Sequence, residues 1–140
     1  MYMKFCGKTA TAIIPYQGNK ILLIKRLTPP FINFWALPGG RCEPNETTDL
    51  TVIREVKEET GLDVEIINKV GEYHESGNQG GFDYDYYPDC YVVKPIGGKI
   101  KRQDTEISEI NLFDLDKIPN LAFEHTGMVK DYLRRIKQVK

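Results

Sequence analysis

Apolar and polar positions alternate between two periods along the chain, and each change of period marks an element. Thr9 to Tyr16 is rich in β-branched and apolar residues and predicts a strand, and Lys20 to Arg26 predicts a second. Gln17-Gly18-Asn19 between them reads as a hairpin turn, so their pairing is expected to be local. From Thr48 to Thr60 the period lengthens to that of a helix, with Thr47 as N-cap, Asp49 in the first turn and Gly61 as the left-handed stop. Val64 to Val70 reads as a strand, followed by Glu72 to Glu75 and a glycine-rich connection, Gly77-Asn78-Gln79-Gly80-Gly81. Phe82 to Tyr87 alternates acidic with aromatic residues, and Cys90 to Ile96 continues as a strand toward Gly97-Gly98. Val129, Tyr132, Leu133 and Ile136 fall at i, i+3, i+4 and i+7, the stripe of a closing helix. Strands on both sides of an internal helix, with a helix at the end, predict an α/β fold, an α/β/α sandwich around a mixed sheet.

The internal helix changes the picture from fold to chemistry. Advancing about 100° per residue, Leu50, Ile53, Val56 and Val52 share one arc, expected to be buried, while Glu55, Glu58 and Glu59 share nearly the opposite one. Such an acidic face is ordinarily a solvated one, and like charges at i,i+3 and i,i+4 cost about 0.2 to 0.5 kcal/mol per pair unless a cation sits among them.

The residues around it are not arbitrary, however. Gly40, Glu46, Arg54, Glu55, Val56, Glu58, Glu59, Gly61 and Leu62 match every specified position of the Nudix box, over residues 40–62. A match of that length at a given start arises by chance on the order of once in 10⁹ random trials. The chain therefore resembles the Nudix hydrolases, the MutT-like enzymes that hydrolyse a nucleoside diphosphate linked to another moiety, with Mg²⁺ or Mn²⁺ neutralising the phosphate oxygens. The resemblance implies Glu55 and Glu59 as metal ligands, Glu58 assisting, and the Gly39 carbonyl as a further ligand. It implies a Glu46–Arg54 ion pair that steadies the loop on the helix, and Glu55 as the group that activates water. Clustered carboxylates on a rigid helix suit a hard cation that keeps waters and substrate phosphates among its ligands.

Outside the box the same resemblance reads Trp35 to Gly40 as a short strand entering a glycine turn, with Trp35 packing rather than stacking a base. It reads Glu106 to Pro119 as the closing strand and turn, although Leu112 stands where a Trp is common. Lys25 and Arg26 close the second strand, ordinarily a solvated strand end, and the resemblance places basic residues there near substrate phosphates, with Arg26 as the candidate. Tyr86, or its neighbour Tyr87, is a candidate for stacking a base. The additional acid that such enzymes take from a later segment is expected at Glu106, with Glu109 as the competitor. His74 and His125 lack partners at metal spacing and read as loop histidines.

Composition narrows the class without adding to the chemistry. With 140 residues, 41% apolar and 28% charged, the chain is long enough for one domain, residues 1–140, around one core. A formal net charge of −1 offers no attraction to a nucleic acid polymer or a membrane. No cleavable leader is visible at Met1-Tyr2-Met3-Lys4-Phe5, and the three cysteines, Cys6, Cys42 and Cys90, lack zinc spacing, so a cytoplasmic location is expected. The expected partner is a small nucleotide substrate, and a homodimer stays open. The leading activity is that of a nucleoside triphosphate pyrophosphatase releasing a nucleoside monophosphate and pyrophosphate. Hydrolysis of ADP-ribose, a nucleotide-sugar or a dinucleoside polyphosphate stands behind it, and outside the enzyme class a catalytically silent nucleotide-binding module.

Overall fold

A computed structural model describes residues 4–139; Met1, Tyr2 and Met3, on which the expectation about a leader falls, lie outside the described residues. The elements are β1 (Phe5–Ile13), β2 (Pro15–Tyr16), β3 (Lys20–Arg26), β4 (Trp35–Ala36), β5 (Gly39–Arg41), α1 (Thr48–Thr60), β6 (Leu62–Glu72), β7 (Glu75–Gln79), β8 (Phe82–Gly98), β9 (Ile107–Asp114) and α2 (His125–Val139). One sheet has the order β5-β1-β8-β6, with β7 also on β8; the other has β2-β3-β4, with β9 also on β3. The β1–β8 pair is parallel and the pairs that flank it are antiparallel, which makes the sheet mixed.

The first apolar run is divided between the two sheets. It leaves the first sheet after Ile13 and enters the second at Pro15, whose missing N–H suits a strand start rather than a ladder interior. Only Pro15 and Tyr16 make the expected hairpin with Ile21 and Lys20, while β1 pairs with β5 and β8. Alternation along the strands then sorts their side chains between two cores. Ala10, Ala12, Leu22 and Ile24 pack with Val52 and Val56 of α1, whereas Ile13, Ile21 and Leu23 pack with Met128 and Val129 of α2. The two helices thus cover opposite faces, and the expected α/β/α sandwich is present.

The glycine-rich connection is largely strand. Gly77, Asn78 and Gln79 pair with Tyr84, Asp83 and Phe82, and the turn itself is confined to Gly80 and Gly81, both at positive φ. Ladder hydrogen bonds come from the backbone, so small side chains do not prevent pairing. β8 likewise runs unbroken from Phe82 to Gly98, where the pattern suggested two segments.

α1 begins and ends where its residues predict, but it is rolled from the expected orientation. Thr47 has the extended backbone of an N-cap, yet its hydroxyl bonds the Asp49 carboxylate rather than a backbone N–H. Gly61, at φ 82, closes the helix by donating to the Lys57 carbonyl at 3.0 Å. Leu50 is 56% exposed and Ile53 38%, while Thr48, Thr51, Val52, Val56, Glu59 and Thr60 are buried. Polar contacts set this roll. Thr48 Oγ1 lies 2.7 Å from Asp89 and 2.6 Å from the Tyr91 hydroxyl, and Asp89 in turn bonds Lys8, so the first turn is clamped to the sheet by a buried network.

Candidate active site

The site is assembled where α1 faces β5 and the turn that precedes it. Glu59 Oε1 accepts the Gly39 N–H at 2.8 Å, and Glu55 lies directly over Gly40, where an added Cβ would meet the Glu55 Cδ at 2.4 Å. The space over position 40 is therefore taken by that carboxylate, and a side chain there would have to push it aside. At Gly39 a Cβ would meet the Ala10 carbonyl oxygen at 2.1 Å, so close approach of backbone to backbone fixes that glycine too.

Arg54 organises the acidic residues. Its Nε and Nη2 donate to the two oxygens of Glu46 at 2.8 Å each, and its Nη1 donates to Glu55 at 2.8 Å and to Glu58 at 3.2 Å. Nη2 also reaches the Arg41 carbonyl at 3.1 Å, which ties α1 to β5. Hydrogen bonds from Arg54 and Thr51 hold the Glu46 carboxyl down at about 2. Burial pushes Glu55 up to about 7 against the pull of Arg54, with Glu58 and Glu106 adding to the rise. Glu59 is only 5% exposed, and burial, with Glu55 and Glu106 nearby, raises it well above the ordinary carboxylate range.

A cleft of about 750 Å³ opens over this turn, and Arg26, Glu55, Glu59, Tyr86 and Glu106 all line it. Glu106 stands just before β9, whereas Glu109 is turned away and pairs with Lys25 at 3.3 Å. Glu58 is outside the lining and is held at its edge by Arg54. Arg26 donates to the Pro30 and Thr28 carbonyls at 2.9 and 3.3 Å and lies 5.0 Å from the Phe123 ring centroid. Tyr86 is only 9% exposed and meets Phe123 edge-on, so it is a wall of the cleft rather than an open platform. Tyr87 lies outside, stacked on His74 at 4.3 Å. Trp35 packs against Phe113 at 4.8 Å, as expected.

The donor set is the kind a hard cation takes, with carboxylate and carbonyl oxygens in one cleft and mutual repulsion that a positive ion would relieve. No ready-made cage is present. Among the described residues no three His, Cys, Asp or Glu side chains converge as metal ligands, because Glu55 is turned to Arg54 and Glu59 to Gly39.

Several residues around a cavity that adjoins the cleft gave no signal in the sequence. Glu75, on β7, is 3% exposed; Phe123 precedes α2 with φ 53; and His125, read as a loop residue, is buried at the start of α2, with its Nδ1 accepting the Leu37 N–H at 3.1 Å. Each arrives by long-range packing, and no local spacing announces it. Among the described residues, no helix is long and apolar enough to cross a membrane.

Known proteins resemble this chain in sequence and in fold. The family model described as NUDIX domain matches residues 7–132. An ADP-ribose pyrophosphatase of Methanocaldococcus jannaschii is 41% identical over 118 residues, which cover 84% of this chain and 68% of that protein. A putative 8-oxo-dGTP diphosphatase of Bacillus subtilis is 39% identical over 64 residues, covering 46% of this chain and 41% of that one. The chain thus spans about two thirds of the first relative and less than half of the second. Among solved structures, a MutT NUDIX hydrolase from Burkholderia pseudomallei superposes with a TM-score of 0.79 at 22% identity, over 91% of this chain and 98% of that one.

Proposed function

The chain belongs to the NUDIX family of pyrophosphohydrolases, and from that premise we propose that it hydrolyses the pyrophosphate bond of ADP-ribose to AMP and ribose 5-phosphate. The observation that carries the chemistry is the presence of Glu55, Glu59 and Glu106 in one cleft above Gly39 and Gly40. The choice of ADP-ribose ahead of a nucleoside triphosphate rests on the Methanocaldococcus jannaschii relative, matched over most of this chain. The Bacillus subtilis relative favours the second reading, a nucleoside triphosphate pyrophosphatase.

Glu55, Glu59, Glu106 and the Gly39 carbonyl, with Glu58 assisting, would hold Mg²⁺ or Mn²⁺, which when bound neutralises phosphate oxygens and makes phosphorus the better electrophile. Arg26 binds the phosphate chain with the guanidinium hydrogens that Pro30 and Thr28 leave unused. Glu55 accepts a proton from the attacking water. Arg54 orients that carboxylate, and Glu46, gripping Arg54 by two hydrogen bonds, fixes the orienter. As the water oxygen bonds to phosphorus, the bridging P–O bond breaks and the departing phosphate leaves with its electron pair.

A product-release screen with Mg²⁺ over ADP-ribose, a nucleotide-sugar, a dinucleoside polyphosphate and nucleoside triphosphates tests the reading. The highest kcat/KM is expected for ADP-ribose. A triphosphate in first place would replace the substrate and keep the chemistry.

A further inference from the structure

At the inner end of the cleft, a smaller cavity of about 90 Å³ is lined by Thr9, Arg26, Glu75, Tyr86, Phe123 and His125. Apart from Arg26, the hydrolytic chemistry uses none of these groups.

Glu75 is a buried residue with one carboxylate oxygen bonded and the other open. Its Oε2 accepts the Glu124 N–H at 3.0 Å, and no described donor bonds its Oε1. The nearby guanidinium of Arg26 is directed to Pro30 and Thr28. Unlike Thr9 Oγ1, Glu75 Oε1 is not sealed from solvent, so it stands as an accessible acceptor in the cavity wall. Thr9 adds an independent observation, since its residue is 6% exposed and its Oγ1 is buried without a hydrogen-bond partner. Two residues further along β1, Thr11 donates to the Met128 sulfur of α2 at 3.3 Å. Strand alternation therefore turns Thr9 to the same face as Thr11, the face on which α2 lies.

His125 completes the polar edge. Burial keeps its ring neutral, with a pKa lowered to about 3, and Nδ1 accepts from Leu37, so the remaining proton sits on Nε2. Tyr86 and Phe123, with ring centroids 5.8 Å apart, supply aromatic walls.

We infer that this cavity receives the edge of the substrate's nucleobase, with Glu75 Oε1 accepting a hydrogen bond from an exocyclic amino group. The inference rests on the nucleotide reading of the cleft but does not depend on ADP-ribose. At about 90 Å³ the cavity is smaller than the ~150 Å³ that encloses benzene in an engineered core, so a ring edge enters while the rest of the base stays in the larger cleft. A ribose would bring several hydroxyls to a wall with one open carboxylate oxygen. Above pH 7, where Glu75 has lost its proton, a base with only a carbonyl at that edge would set oxygen against oxygen and be rejected.

The test is binding of AMP, GMP, CMP, IMP and UMP by calorimetry at a pH of about 8.5, where Glu75 is ionised, with Mg²⁺ present, using the wild type and Glu75→Gln. At least one amino-bearing nucleotide should bind the wild type ~10-fold or more tightly than IMP or UMP, and the strongest of them identifies the base. In Glu75→Gln the amide turns a donor to the cavity, so that preference should fall within ~2-fold or invert. Equal binding of all five nucleotides to the wild type overturns the inference, even if the variant fails to fold. An unchanged preference in a folded Glu75→Gln overturns it as well. Amino preference without turnover of ADP-ribose supports the pocket while removing the proposed substrate. Turnover of ADP-ribose with equal binding of all five nucleotides does the reverse.

Discussion

Glu59 Oε1 accepts the Gly39 N–H at 2.8 Å, joining the last turn of α1 to the start of β5. Glutamine keeps that acceptor and removes the buried charge. Glu59→Gln should therefore fold normally, melt at or above the wild-type temperature, and lose at least ~100-fold in kcat. A thermal melt and a steady-state rate check both parts; a full rate with an intact fold would remove Glu59 from the catalytic set.

The paired glycines should respond differently to the same substitution. At Gly39 an added methyl meets the Ala10 backbone oxygen at 2.1 Å, whereas at Gly40 it meets the movable carboxylate of Glu55 at 2.4 Å. Gly39→Ala should cost ~2 kcal/mol of stability, and Gly40→Ala much less. Because Gly40→Ala displaces Glu55, its kcat should drop ~10-fold or more. Equal stability losses in urea denaturation would contradict the placement of the two residues.

Glu106 lines the cleft, and Glu109 is occupied by Lys25 on the surface. Glu106→Gln should raise the Mg²⁺ concentration needed for half-maximal rate, and Glu109→Gln should leave it unchanged. Titrating Mg²⁺ against rate for both variants decides between them, and a loss confined to Glu109→Gln would transfer the role.

Two carboxylates give opposite pH signatures. Glu46 is held down to about 2 in the fold, so its contribution is full above its ordinary 4.5 and is lost as pH falls through 2. The destabilisation by Glu46→Gln should thus shrink between pH 6 and pH 3. Burial raises Glu75 to about 7, so the folded chain keeps a proton that the unfolded chain has lost between 4.5 and 7. Stability tied to Glu75 is full below 4.5 and is lost as pH rises through 7. Glu75→Gln should accordingly gain on the wild type between pH 5 and pH 8. Urea midpoints of each variant measured against the wild type would show it, and pH-independent differences would contradict it.

The sequence displayed the ends of α1, the acidic cluster and the Glu46–Arg54 pair because each depends on spacing within a short stretch. The roll of the helix was not legible. Hydrophobicity alone favoured burying Leu50 and Ile53, but the contact of Thr48 with Asp89 and Tyr91, some forty residues away, turned Thr51 and Glu59 inward instead. The inner cavity was hidden for the same reason. Glu75 reaches it through pairing with β8, and His125 through a bond to Leu37, contacts that leave no period in the chain.

The most direct test of the account is AMP release from ADP-ribose as Mg²⁺ is varied, with the wild type and Glu59→Gln side by side. The wild type should show a rate that rises to saturation with Mg²⁺ and vanishes in excess EDTA, and Glu59→Gln should lack most of it at every concentration. Wild-type turnover that persists unchanged in EDTA, or an undiminished rate in Glu59→Gln, would contradict a hydrolytic site built from the α1 carboxylates and a divalent cation.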